Sequence, residues 1–263
     1  MTGPRKRSSP AASAALPDIE LIPALLSALF IFLAAIVRGY SGFGFSLLAI
    51  TSLSLIHPLA LVIPAVFMME IAASMHMLPC VWREVHWRSL MPLIVGTSLG
   101  MPFGAYVLAN VPAAPMKVAL AIFVLTATAL LWKGFALKSM PSRAATFGIG
   151  GAAGLANGAF GISGPPVILF YFASPAGNAV GRASLVAYFF FTDAIGLGVL
   201  ATQNLVGLPS LMLAALLLVP LVAGVWLGGR SFKTADPQTF RQWVLILLAI
   251  LAVATALKAA SGL

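Results

Sequence analysis

Two glycine-rich interruptions inside hydrophobic segments, Gly39-Tyr-Ser-Gly-Phe-Gly-Phe-Ser46 and Asn157-Gly-Ala-Phe-Gly-Ile-Ser-Gly-Pro-Pro166, constrain this chain more than any other feature. They align without a gap, Phe43 on Phe160, Gly44 on Gly161 and Ser46 on Ser163, and further along Pro58 falls on Pro175. Glycine and proline at membrane depth unwind a helix, and lipid tolerates the freed backbone groups only where protein or a watery cavity satisfies them. Two such breaks at corresponding places in two halves point to a transport site between repeats.

That the segments lie in a membrane follows from composition. Hydrophobic residues make up 61% of the chain and charged residues 8%, about a third of the charged fraction of a soluble domain. The net charge of +9 does not mark a nucleic-acid-binding face, because nearly every Lys and Arg sits in a short loop between apolar runs, the topogenic pattern of an inner-membrane protein. The single cysteine, Cys80, excludes an intramolecular disulfide and any multi-cysteine metal site. Arg5-Lys-Arg7 superficially resembles the start of a signal peptide, but Ser8 to Glu20 intervenes and no small-x-small site precedes Arg38, so residues 1–18 read as a disordered, uncleaved tail.

The expected fold is all-α and polytopic, with about eight hydrophobic segments: 21–56 (broken at 38–46), 59–79, 90–110, 117–133, 145–173 (broken at 157–166), 184–203, 209–230 and 241–259. Lys133 to Arg143 divides two halves of similar pattern, giving a first repeat over 19–133, a cytoplasmic linker over 134–143 and a second repeat over 144–263. Gly100-x-x-x-Gly104 matches Gly224-x-x-x-Gly228, and Lys117 matches Arg241 at the same offset, as an internal duplication requires. Small residues so spaced read as helix packing. Arg83, Arg88, Lys133, Lys138, Arg143, Arg182, Arg230, Lys233 and Arg241 fall on one face if 145–173 enters and leaves on the same side, which makes that face cytoplasmic and the repeats inverted. Only Lys117 and Lys258 then face the other side, and Arg5-Lys-Arg7 would lie against the rule, leaving the side of the N-terminus open. The breaks are expected to be non-helical over 38–46 and 157–166 and to meet near mid-membrane.

A half-helix beginning after each break, near Phe45 and near Pro166, presents N–H groups without intrahelical partners at the positive end of its dipole, an anion site in waiting. The candidate substrate residues are therefore Arg38, Tyr40, Ser41, Gly42, Gly44 and Ser46 in the first half and Asn157, Gly158, Gly161, Ser163, Gly164 and Pro165 in the second. Ionisable groups inside apolar helices are costly and functional by default. Glu70, His76 and Asp193 are thus candidates for a coupling proton, His76 and Asp193 occupying equivalent positions of the two repeats; a structural hydrogen bond or ion pair, for example Arg38 with Asp193, is the alternative. Arg182 and Tyr188 could also face the site. Met68, Met69, Met75 and Met77 wrap around their helix, which favours packing over a soft-metal path. Gly161-Ile-Ser163-Gly164 spells the Gly-x-Ser-Gly of rhomboid intramembrane proteases, but all three histidines precede Ser163 and an enzyme is not expected.

With the breaks, the glycine pairs and the duplication together, the chain resembles the TauE/SafE family, most specifically in Gly158 to Pro166, the helix from Gly181, and Gly224-x-x-x-Gly228. The resemblance covers nearly everything from about residue 21. It implies export of sulfite, sulfoacetate or another small sulfur-containing anion, with no cofactor. No Gly-x-x-x-x-Gly-Lys-Ser/Thr loop is present to bind ATP, so an ion gradient, the membrane potential or a partner subunit must drive it, protons being the candidate coupling ion. The lipid bilayer is the other partner, nucleic acid is not one, and the oligomeric state is open. An anion channel or accessory subunit without coupled transport is the alternative.

Overall fold

The computed structural model describes residues 21–133, 140–173, 178–231, 246, 249–255 and 257. The expected tail over 1–18, Lys138, Pro175, Lys233, Arg241, Lys258 and most of the last hydrophobic segment lie outside them. The described residues form helices α1 (Leu21–Ser41), α2 (Phe45–Leu53), α3 (Leu59–Val81), α4 (Trp87–Asn110), α5 (Ala113–Lys133), α6 (Arg143–Phe160), α7 (Gly164–Ala173), α8 (Asn178–Thr202) and α9 (Leu208–Ser231). A 3₁₀ turn, Trp82–Glu84, joins α3 to α4.

Six of these helices, α1, α3, α4, α5, α8 and α9, are long and apolar enough to cross a bilayer. At 1.5 Å per residue, the nine residues of α2 and ten of α7 reach only about 15 Å, half the hydrocarbon core. Both broken segments are broken in the structure, but more tightly than the sequence suggests. The helix persists through Ser41 and Phe160 and resumes at Phe45 and Gly164, so only 42–44 and 161–163 are non-helical. The reason is that the flanking backbone is satisfied: Gly42 N–H donates to Arg38 O and Gly161 N–H to Asn157 O, each at 2.8 Å. The chain turns at the aligned glycines Gly44 and Gly161, whose φ values of 87° and 68° are left-handed conformations that a side chain disfavours.

Glycine also sets the helix register. A Cβ at Gly96, Gly100 or Gly104 of α4 would lie 2.9, 3.1 and 2.6 Å from the backbone nitrogens of Gly151, Leu155 and Ala159 in α6. Residue numbers rise together along both helices, so α4 and α6 run parallel with their backbones in contact. The same holds for α1 and α9, where a Cβ at Gly39 would lie 2.9 Å from Gly229 N and one at Gly228 would lie 3.0 Å from Ile36 Cα. Helix α3 packs on α8 in the opposite sense, Phe67 against Gly196 and Glu70 toward Asp193. Thus α3 and α8 form the centre. Outward, Leu29, Phe103, Ile122 and Val219 are exposed, as befits side chains whose partner is lipid.

Candidate functional site

The α3–α8 pair carries the two buried carboxylates, Glu70 and Asp193. Arg38, in the last turn of α1, is fully buried and pairs with Glu70 of α3, Nη2 to Oε1, at 3.0 Å. Its Nη2 also donates to Ser74 Oγ at 2.7 Å, its Nη1 to the Gly42 carbonyl, and its guanidinium lies 5.0 Å from the Phe189 ring centroid. Three helices and a break are therefore tied to one cation. Asp193 of α8 is as deeply buried, accepts from Asn157 Nδ2 at 3.2 Å, and lies within electrostatic range of both Glu70 and Arg38. Arg38 pairs with Glu70, and the direct Arg38–Asp193 pair offered as the sequence's example is not formed. Arg38 and Glu70 of the first half of the chain thus meet Asn157 and Asp193 of the second in one buried polar cluster.

Each break abuts this cluster. Ser46, in the first turn of α2, lies beside Glu70. Ser163 lies beside the hydroxyl of Tyr188, which is held at 2.8 Å by Thr97 of α4. Gly164 opens α7 against Phe189. The two half-helices differ in the backbone donors they present. Phe45, Ser46 and Leu47 all carry N–H groups, whereas Pro165 and Pro166 remove two of the donors that α7 would otherwise offer. The second break thus leans on the Ser163 hydroxyl and the Gly164 N–H.

Five buried polar atoms in this region have no hydrogen-bond partner among the described residues: Arg38 Nε, Glu70 Oε2, Asn157 Oδ1, Ser163 Oγ and Asp193 Oδ2. Buried polar atoms are nearly always paired, and orphans in one place call for an occupant. Arg182, at the start of the second turn of α8, closes the cluster from one end. Its Nη2 donates to Gly39 O at 3.2 Å and its stem covers Gly42.

Several sequence candidates have other surroundings. Ser41 Oγ donates to Val37 O at 2.7 Å and Phe43 O at 2.8 Å, so it secures the bend itself. Gly158 belongs to the α4–α6 seam, where a Cβ would lie 2.6 Å from Ala105 N, and Gly161 is walled in by Ile50 and Ile63. Tyr40 and Pro165 are buried, while Gly44 faces Val37. His76 is exposed on α3, away from buried Asp193 despite their matching positions. Met69 is buried and Met75 exposed, on different faces of α3, as a stripe that wraps around the helix gives. Near Ser163 the contacting hydroxyl is a tyrosine's; His86 bonds Ser89 at 2.7 Å, and His57 meets Ser27 at 3.1 Å with burial holding its pKa below the ordinary value. Sequence reasoning missed Ser74, Thr97 and Phe189. Ser74 was findable, one helical turn beyond Glu70; nothing marked Phe189 within its aromatic run.

Residues 27–255 match the family described as sulfite exporter TauE/SafE. The probable sulfite/organosulfonate exporter TauE of Cupriavidus necator is 27% identical over 213 residues, spanning 78% of this chain and 82% of that protein. No solved structure matches the chain. With a family match running from α1 past α9, over six helices able to span a bilayer and the two short helices α2 and α7, the chain is a multi-pass membrane protein and belongs to the sulfite exporter TauE/SafE family.

Proposed function

We propose that this protein is a secondary transporter that exports a small sulfur-containing anion, sulfite, sulfoacetate or a related organosulfonate, across the inner membrane, with protons as the coupling ion. The observation that carries the reading is the group of five buried polar atoms near the two breaks that have no partner among the described residues. Arg38 Nε and Ser163 Oγ can donate to an anion. Glu70 Oε2 and Asp193 Oδ2 are carboxylate acceptors, which repel an anion until one of them takes a proton, and Asn157 Oδ1 accepts a hydrogen bond. Arg38 faces two carboxylates, so protonating one of them removes a negative charge and makes room for the anion's. Anion and proton then favour each other's binding and travel together, so a dianion such as sulfite leaves with one net negative charge, which an inside-negative potential drives outward at about 2.3 kcal/mol per 100 mV.

Fold symmetry supports an alternating mechanism. We read 19–133 and 144–263 as inverted repeats that exchange α1 with α6, α2 with α7, α3 with α8 and α4 with α9. Under that exchange the α1–α9 seam becomes the α6–α4 seam, and α3 with α8 maps on itself while running antiparallel. Each repeat's broken helix is held by the other repeat's glycine helix, which suits rocking about a central site.

Flux in proteoliposomes loaded with sulfite, sulfoacetate, thiosulfate or sulfate tests this. An imposed pH gradient is expected to drive one of the sulfur anions against its own gradient; strictly downhill flux of every anion would instead identify a channel. Within the same assay, Asp193→Asn is expected to abolish pH-driven accumulation while flux driven by membrane potential persists, at about 2.3 kcal/mol per 100 mV for one charge. His76→Gln is expected to behave as the parent protein. Loss of pH coupling in His76→Gln with coupling retained in Asp193→Asn would reverse the assignment.

Ser163→Ala removes one donor and no bulk. It is expected to weaken anion binding about three- to tenfold, the equivalent of a net hydrogen bond of ~1 kcal/mol, with an unchanged melting temperature. Unaltered affinity would place the anion away from the second break.

A further inference from the structure

Away from the buried cluster, the mouths of the parallel helices α4 and α6 form an open groove of about 560 Å³. Its rim carries Arg88, in the first turn of α4, and Arg143, the first residue of α6; its walls are Trp87, Met91, Val95 and Phe147. Met91, Val95 and Phe147 are 51%, 50% and 42% exposed, so the apolar wall is open to the bilayer. Met91 and Phe147 stand one turn, and Val95 two turns, below the arginines on their helices, about 5 and 11 Å deeper. No carboxylate among the described residues pairs with either guanidinium.

From this arrangement we propose that the α4–α6 groove binds one anionic phospholipid, its phosphate between Arg88 and Arg143 and an acyl chain along Met91, Val95 and Phe147. The surroundings select the occupant. A groove that opens sideways into hydrocarbon is filled by lipid, and two guanidiniums with no carboxylate partner among the described residues select a negative headgroup over a zwitterionic one. The basic loops assign this face to the cytoplasm, where the anionic lipids of the inner leaflet lie. Trp87 fits the same level, as an aromatic side chain does at the interface. The site is independent of the transport reading, because it concerns neither break.

Native mass spectrometry of the full-length protein in mild detergent, titrated with phosphatidylglycerol or phosphatidylcholine, tests it. One phosphatidylglycerol is expected to be retained per protein in preference to phosphatidylcholine. Arg88→Ala and Arg143→Ala should each weaken retention about fivefold and together about thirtyfold, from the surface attraction of one basic residue for an anionic lipid. The double Arg→Lys variant keeps the charge and should keep the lipid, which controls for misfolding. Arg83→Ala, exposed in the 3₁₀ turn outside the groove, should change nothing. Equal retention of the two lipids, retention undiminished in the double alanine variant, or an equal loss from Arg83→Ala would each overturn the proposal.

Discussion

Arg38→Ala is expected to lower the protein's stability by roughly 3–5 kcal/mol, the cost of leaving a buried carboxylate without its partner. Glu70 is 1% exposed and Arg38 supplies its only ion pair among the described residues, so no solvent is at hand to compensate. The Gly42 carbonyl and Ser74 hydroxyl lose a donor in the same substitution. The melting temperature in detergent should therefore fall steeply. The double variant Arg38→Met/Glu70→Leu separates structure from transport, because replacing both charges by apolar groups of similar size is often neutral or stabilising. It is expected to recover most of the lost melting temperature and none of the anion flux. Recovery of flux along with stability would mean that the pair only holds α1 to α3.

Gly158→Val should be the most damaging single change in α6. The added Cβ would lie 2.6 Å from Ala105 N and 2.9 Å from Gly104 C, backbone atoms that can yield only if α4 and α6 separate. Overpacking of this kind costs about 1–3 kcal/mol and occasionally more. The displacement also reaches function, since Asn157, one residue earlier, holds Asp193. Flux is expected to disappear even at temperatures where the protein remains folded. In the same helix Gly148 has nothing within 4 Å of a Cβ, so Gly148→Ala should be neutral or stabilising by up to about 1 kcal/mol through helix propensity. Similar melting temperatures for the two variants would refute close α4–α6 contact.

The contrast between these glycines shows how far the sequence could be read. Glycine spacing identified the helices that pack and the segments that break, because both depend on the absence of a Cβ. It did not distinguish the two uses at Gly158, which stands next to a break and yet serves the seam. The same ambiguity applies to Gly161, a candidate substrate residue that the fold also encloses. With φ at 68° and Ile50 and Ile63 against it, a valine there strains the fold as well, so Ser163→Ala is the cleaner probe.

What the sequence by itself determined is the class of the chain and the location of its breaks. Apolar runs of spanning length can be satisfied only as membrane helices, and aligned Gly44 and Gly161 are local backbone requirements that need no knowledge of neighbours. Which ionisable groups meet was decided by the tertiary structure. Matching positions made His76 and Asp193 look like a pair, but helix rotation turns one outward and the other inward, and a periodicity read along one helix does not say which face its neighbours cover. Arg38 found Glu70 and Ser74 across the α1–α3 contact for the same reason. Burial and partnership depend on residues far apart in the chain, so only the packing of α1 and α6 around the α3–α8 pair gathers the four groups.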